Sequence, residues 1–364
     1  NIEKYKLRIT SGTTNEKVNA NSDLFNGKNY KINNSLYTQL DKKWNRFNIS
    51  LGARYEMFRL YSEDKYLING DSINYISASK PVFRTGINYQ AAEATYLRAS
   101  WGQGYRFPSM AELFISTNQS GLEIYPNPEL KAESGWSSEI GIKQGIKTGK
   151  WMGYIDIAAF IQQYNDMMEF SYGQWGNASS NEVGGIGFKS INVGTTRITG
   201  AELSLSGQGK INSDLTINLL AGYTYMNPIS LNLNYVYEED YYGRPLTYGN
   251  SGSDSTMLKY RYKHIAKADI EILYKKISLG GSMRYNSFMK NIDYIFTSEL
   301  LPILTGISGI NEAREKFKDG DLIIDLRAGY QMTKKARLGF IVNNLLNREY
   351  MSRPANMMMP RTFA

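Results

Sequence analysis

Few residues in this chain are able to do chemistry, and their spacing limits what that chemistry is. There is one histidine, His264, and no cysteine, so thiolate ligands, disulfides and cysteine nucleophiles are excluded together. His264 sits in KYRYKHIAKADIEI, where Asp269 follows five positions later and therefore on the opposite face of a strand. No Ser-His-acid spacing accompanies it, so the chain is not expected to be an enzyme and no catalytic residue is assigned. The carboxylates Glu238, Glu239 and Asp240 form one acidic group. With no imidazole or thiolate beside it, neither a bare transition-metal site nor a bound cofactor is expected.

What remains is ring faces and a guanidinium. FSYGQW offers Phe170, Tyr172 and Trp175, and LNLNYVYEEDYYGRP offers Tyr235, Tyr237, Tyr241, Tyr242 and Arg244. Such groups stack on a planar or chelated ligand, whether catecholate, corrin or sugar, without supplying a ligand to a metal. The competing reading for each is packing between loops.

The elements that must carry these loops are strands. In NISLGARYEM, Ile49, Leu51, Ala53, Tyr55 and Met57 alternate with Asn48, Ser50, Gly52, Arg54 and Glu56, the period of a strand with one apolar and one polar face. The same alternation recurs in YLRASWG, SSEIGIK, GAELSLSG, TINLLAGYTY, KADIEILY, LIIDLRAGY and RLGFIV. It comes to roughly a dozen segments of about ten residues, the length a tilted strand needs to cross a bilayer. A soluble sandwich and a membrane barrel both fit alternation alone. Charges at mid-strand favour a wet lumen, which assigns Arg98, Glu139, Lys143, Glu202, Asp269, Glu271, Asp325 and Arg327 to the inside.

Two further features favour the membrane. Tyr and Trp at Tyr55, Trp101, Trp136, Trp151, Tyr225, Tyr274, Tyr285 and Tyr330 suit the aromatic girdles of a barrel. Short turns within KKWNRF, KTGK and MTKK alternate with long segments at residues 62–80, 107–134, 171–187, 227–256 and 289–320. The mean hydropathy of −0.43 does not oppose this, because every second residue of such a strand is polar. No apolar run is long enough for a spanning helix. The net charge of +8 is spread along the chain with no basic block, so nucleic acid is not expected as a partner.

WGQGYRFPSMAELF ends a strand at a Tyr-Arg-Phe-Pro corner. Pro108 has no N–H to give a ladder and restricts Phe107 to extended backbone, so pairing stops there. Ser109 is placed to cap a short helix in PSMAELF. Together with YPNPELKAESGWSSEIGIKQG, VFRTGINY, VGTTRITGAELSLSG and FIVNNLLNREYMSRP, this stretch resembles the barrel of TonB-dependent outer-membrane receptors, from about Lys80 onward.

The resemblance implies an all-β, antiparallel transmembrane barrel of about 22 strands, of which residues 1–364 supply a C-terminal portion as one domain. It implies a Gram-negative outer-membrane location and active import of a scarce nutrient. A ferric siderophore or related iron complex leads, with cobalamin or an oligosaccharide behind it, and a passive porin or an assembly-associated barrel as rivals. Arg106, Pro108, Asn127 and Pro128 become a rim motif with a part in ligand contact or in folding the loop. Some heme receptors of this class carry a histidine between an Arg-x-Pro box and an Asn-Pro-x-Leu box; none lies between Pro108 and Asn127, and one histidine cannot give bis-histidine ligation. The implied partners are membrane lipid, the TonB complex through a plug, the nutrient, and possible surface lipoproteins. The opening NIEKYKLRIT carries neither initiator Met nor signal peptide, no plug or TonB-contact segment is recognised, and MMMPRTFA reads as a last strand cut short. The chain is accordingly expected to be a piece of a longer receptor.

Overall fold

The computed structural model describes residues 6–25, 27–68, 71–119, 122–177, 179, 184–354 and 356–364. Fourteen strands hydrogen-bond in chain order into one antiparallel sheet. They are β1 (Leu7–Ser22), β2 (Gly27–Trp44), β3 (Phe47–Ile68), β4 (Asp71–Ala92), β5 (Thr95–Arg106), β6 (Glu133–Thr148), β7 (Trp151–Asn165), β8 (Thr196–Lys210), β9 (Leu215–Ser230), β10 (His264–Tyr274), β11 (Ile277–Asn286), β12 (Asp321–Gln331), β13 (Arg337–Asn343) and β14 (Thr362–Phe363). β1 and β14 are its edges. The period of two in the sequence is the cause: each strand has a face to hide from water and a face to give it.

Register decides whether those faces add up. Leu97 lies opposite Ile142, which lies opposite Ile157, then Leu203, then Tyr223, an unbroken apolar row across five strands. A second row runs Leu219, Ile270, Gly281, Leu326, Val342. One position along, Leu220, Asp269, Ser282 and Asp325 align, as do Asn218, Glu271, Gly280 and Arg327. A slip of one residue in any strand would exchange its faces, and none occurs among these. The apolar face carries no covering layer: Ile140 is 63% exposed and Ile270 44%, and Leu203 is half-buried. An apolar surface of this extent on a protein in water would be a strong association liability; facing lipid, it needs no cover.

Turn chemistry separates the two ends of the sheet. At one end β2 and β3 are joined by Asn45 and Arg46, and β6 and β7 by Gly149 and Lys150. Asn45 (φ 51°) and Gly149 (φ 59°) supply the left-handed backbone that a two-residue hairpin demands. At the other end the connections are long: residues 107–132, 166–195, 231–263, 287–320 and 344–361. Residues 62–80 are not the loop that sequence suggested. β3 and β4 are 22 residues each, about twice a bilayer crossing, and their pairing runs through this region. A strand needs no apolar face where it is not in lipid, so the periodic signal ends before the ladder does. The strand count likewise exceeds the dozen read from alternation, because β1 and β2 are rich in Asn, Thr and Ser.

Buried apolar side chains collect at the long-loop end, in three clusters: Phe58, Leu60, Leu113, Phe114, Leu130 and Met168; Met167, Ile191, Val193, Tyr248 and Leu258; and Ile295, Leu301 and Ile310. Among the described residues the buried clusters form where the loops pack, with Phe58 and Leu60 of β3 the wall's share of the first.

Candidate functional site at the long-loop end

The corner is built as local chemistry requires. β5 ends at Arg106, and α1 (Met110–Phe114) follows with a capping box: Glu112 N donates to Ser109 Oγ (3.2 Å) and Ser109 N donates to Glu112 Oε2 (2.8 Å). Burial works against the Glu112 carboxylate, but the Ser109 N–H and the Arg106 guanidinium at 2.8 Å outweigh it and hold its pKa below the usual range. Phe107 stacks on Phe58 with ring centroids 3.9 Å apart. Phe58 and Leu60 have the parity of Arg54 and Glu56, so the loop folds over the charged face and turns the upper wall apolar where it lands.

The rim residues pack into the loop. Pro108 is buried. Asn127 is buried, and its Nδ2 donates to Ser190 O (2.8 Å). Pro128 follows half-buried, and Leu130 enters the same apolar cluster as Phe58. Beside them Leu122–Tyr125 pairs in parallel with Ile186–Asn192, so two separate loops share a four-stranded sheet. Arg106 is spent on Glu112 and, at 3.8 Å, Glu133.

Three loops are fastened at one carboxylate that sequence reasoning did not single out. Asp293 accepts from Lys259 Nζ at 2.7 Å, from the Tyr260 hydroxyl, and from Ser171 Oγ and Tyr172 N at 3.4 Å each. Both members of the ion pair are almost wholly buried. Burial alone would lower the Lys259 pKa; the adjacent Asp293 charge reverses that and raises it. Nothing local in the sequence marks the pair, since 34 residues separate its members and each sits in an aperiodic polar run.

The aromatic candidates divide. Tyr172 gives its N–H to Asp293 and meets Phe188 edge-on at 5.7 Å. Trp175 lies under Lys189 Nζ at 5.0 Å, and Lys189 also reaches Glu238 at 3.3 Å. Tyr237 packs against the cluster containing Tyr248. These three hold the cap together. Tyr235, Tyr241 and Tyr242 are exposed, Tyr241 and Tyr242 meet edge-on at 5.3 Å, and the Arg244 guanidinium lies 5.7 Å from the Tyr242 ring. Arg244 is held by Asp240 at 2.6 Å, so a cation and two rings are presented outward on a braced turn. His264 accepts no such role: its Nδ1 lies 2.8 Å from the Tyr223 hydroxyl on the apolar face.

The charges assigned inward all lie on one face, and several satisfy each other. Arg98 reaches Glu139 (2.7 Å) and Asp156 (2.6 Å), and Arg327 grips Asp269 through both amino nitrogens at 2.7 and 2.8 Å. Each arginine lies over a glycine of the intervening strand. A Cβ on Gly141 would fall 2.7 Å from Arg98 Cζ and one on Gly280 2.5 Å from Arg327 Cζ, so glycine there is the opening through which a guanidinium reaches the acid. Lys143 Nζ sits 3.7 Å over the Tyr154 ring, Asn218 donates to Glu271 at 3.2 Å, Arg284 approaches Asp325 at 3.4 Å, and Glu202 is exposed.

The alternating wall, the short and long ends and the inturned corner have counterparts in known proteins. A family model described as TonB dependent receptor-like, beta-barrel matches residues 4–345. The chain belongs to the TonB-dependent receptor family. Among curated relatives, the hemoglobin and hemoglobin-haptoglobin-binding protein A of Haemophilus influenzae is 23% identical over 50% of this chain and 18% of its own length. The hemoglobin-haptoglobin utilization protein B of Neisseria meningitidis is 25% identical over 35% of this chain and 16% of its own. The chain therefore spans well under a third of these receptors. Among solved structures, the hemophore receptor HasR of Serratia marcescens, in complex with HasA and heme, superposes with a TM-score of 0.65 at 16% identity, covering 98% of this chain and 55% of that one. TonB-dependent receptors are transporters in the outer membrane of Gram-negative bacteria, so the apolar face is the lipid face and the charged face is turned away from lipid. Among the described residues of this receptor domain no group of three His, Asp or Glu could hold a metal ion.

Proposed function

We propose that this domain forms lumen wall and mouth of an importer that takes up iron already enclosed in an organic complex, driven by TonB acting on a plug. The observation that carries the reading is the braced, outward set of Tyr241, Tyr242 and Arg244 in a mouth whose described residues offer no metal-ligating cluster. Rings and a guanidinium recognise the organic shell of a chelate and leave its metal alone. A ferric siderophore fits this chemistry. Heme fits it equally, and the curated relatives, one a hemoglobin and hemoglobin-haptoglobin-binding protein and one a hemoglobin-haptoglobin utilization protein, favour heme drawn from hemoglobin. With one histidine, on the lipid face, this domain would hold heme by its rings and edges rather than through the iron. A surface lipoprotein that helps strip such a carrier is consistent with the reading.

A deletion strain grown under iron restriction on one source at a time tests it. Growth should fail on hemoglobin or on one ferric siderophore and persist on ferrous salts. Complementation with Tyr241→Ala, Tyr242→Ala and Arg244→Ala combined should restore uptake at least about tenfold more weakly than the parent gene, the loss of one stacked or charge-assisted contact. Unchanged growth on every organic iron source would overturn the proposal.

A further inference from the structure

A cleft opens where the long loops after β11 and β13 meet the top of the wall. It is shallow and open to solvent, with an enclosed volume of about 60 Å³, and Tyr262, Phe288, Arg314, Phe317, Asp321 and Arg353 line it. Asp321 begins β12 in the parity of Asp325 and Arg327, so the cleft lies on the lumen side of the rim. Two cations face it. Arg314, on α3 (Ile310–Lys316; α2 is Leu300–Thr305), is half-buried with its guanidinium 4.5 Å from the Phe288 ring and two N–H groups given to Met289 O (3.0 Å) and Lys290 O (3.1 Å). Arg353 stands exposed on the opposite loop.

Neither arginine makes an ion pair among the described residues, whereas Asp321, the one carboxylate of the lining, is already matched by Arg348 at 3.4 Å. Arg348 is itself fixed by the Phe317 ring at 4.1 Å and by Gly320 O at 2.7 Å. Burial pulls the Arg314 pKa below its ordinary value, with the Glu315 charge opposing it. A half-buried guanidinium held by carbonyls and a ring face but by no carboxylate among the described residues keeps its net charge, and a planar fork of N–H donors beside ring faces matches one chemistry above others, a flat or tetrahedral oxyanion on an apolar or aromatic body.

We propose that this cleft binds an oxyanion group, a carboxylate, phosphate or sulfonate, through Arg314 and Arg353. The assignment is independent of which nutrient the receptor carries. Its lumen-side position favours a passing ligand, and the phosphate of an outer-leaflet glycolipid is the other source of the same chemistry.

The probe is pyranine, a water-soluble trisulfonated ring system, titrated by fluorescence anisotropy into the full-length receptor in a neutral detergent. Saturable binding that inorganic phosphate displaces is expected. Arg353→Gln, which removes no side-chain hydrogen bond among the described residues, should weaken it about tenfold, the value of one charge-assisted hydrogen bond. Arg314→Gln with Arg353→Gln should abolish it, and Arg337→Gln at the opposite end should change nothing. Organic phosphate that copurifies with the parent protein and not with the double variant would assign the oxyanion to lipid; its absence from both, with pyranine binding intact, assigns it to a soluble ligand. No pyranine binding by the parent protein, or equal binding by Arg353→Gln, would overturn the site.

Discussion

Replacing Lys259 with methionine is expected to release three outer loops together while the wall stays folded. Lys259 Nζ and Asp293 Oδ1 are 2.7 Å apart with side chains 1% and 0% exposed. Removing the cation leaves a buried carboxylate unpaired, a change that costs about 3–5 kcal/mol. The cost falls on the cap because Asp293 also receives Ser171, Tyr172 and Tyr260, which belong to the other two loops. Hydrogen exchange on the full-length receptor should show residues 168–174, 257–262 and 291–297 losing protection in concert, with β8 to β12 unchanged. Adding Asp293→Asn should recover part of it, since no isolated charge then remains. Loss confined to one loop would show that the carboxylate does not join them.

The second large effect concerns the wall. Ile270 and Ser282 lie at nearly the same height on neighbouring strands, for Ile270 faces Gly281 and Ser282 faces Asp269, but their side chains point to opposite faces. Ile270→Arg places a charge against lipid near mid-strand, where such substitutions cost about 2–4 kcal/mol. Ser282→Arg sets the same side chain between Asp269 and Asp325, where it gains a partner and should cost less than about 0.5 kcal/mol. Denaturant unfolding in bilayers, followed by tryptophan fluorescence, should separate the two by most of that difference. Equal losses would mean that the sheet has no lipid side.

How much of this was legible in the sequence depends on what imposed order there. Lipid on one face and water on the other force a period of two, so Glu139 beside Ile140 and Asp269 beside Ile270 announce their faces without a structure. The corner was legible for a different reason: Pro108, Ser109 and Glu112 act on backbone within a few residues of themselves, and the expected cap formed. Where strands rise clear of lipid the period fades, which hid β1 and β2 and made residues 66–68 and 71–80 look like loop although most of them pair. The cap was illegible because its contacts are long-range. Asp293, Lys259 and Ser171 meet only after three hairpins have set them side by side. The same limit explains why the sequence could not separate Tyr172, Trp175 and Tyr237 from the exposed Tyr241 and Tyr242; ring type is visible in sequence, and whether a loop buries or exposes the ring is not. Asn127, grouped with a rim that could touch ligand, instead spends its amide on Ser190 O.

The measurement that bears most directly on the central claim is a spin-label scan along β10 in bilayers. The chain has no cysteine, so single-cysteine variants from Lys267 to Leu273 can be labelled one at a time in the full-length receptor. Labels at Ala268, Ile270 and Ile272 should collide with oxygen dissolved in lipid, and labels at Lys267, Asp269 and Glu271 with a water-soluble nickel complex. Accessibility should therefore alternate with a period of two and with Ile270 on the lipid side. A scan without alternation, or with Ile270 shielded from both relaxants, would contradict it.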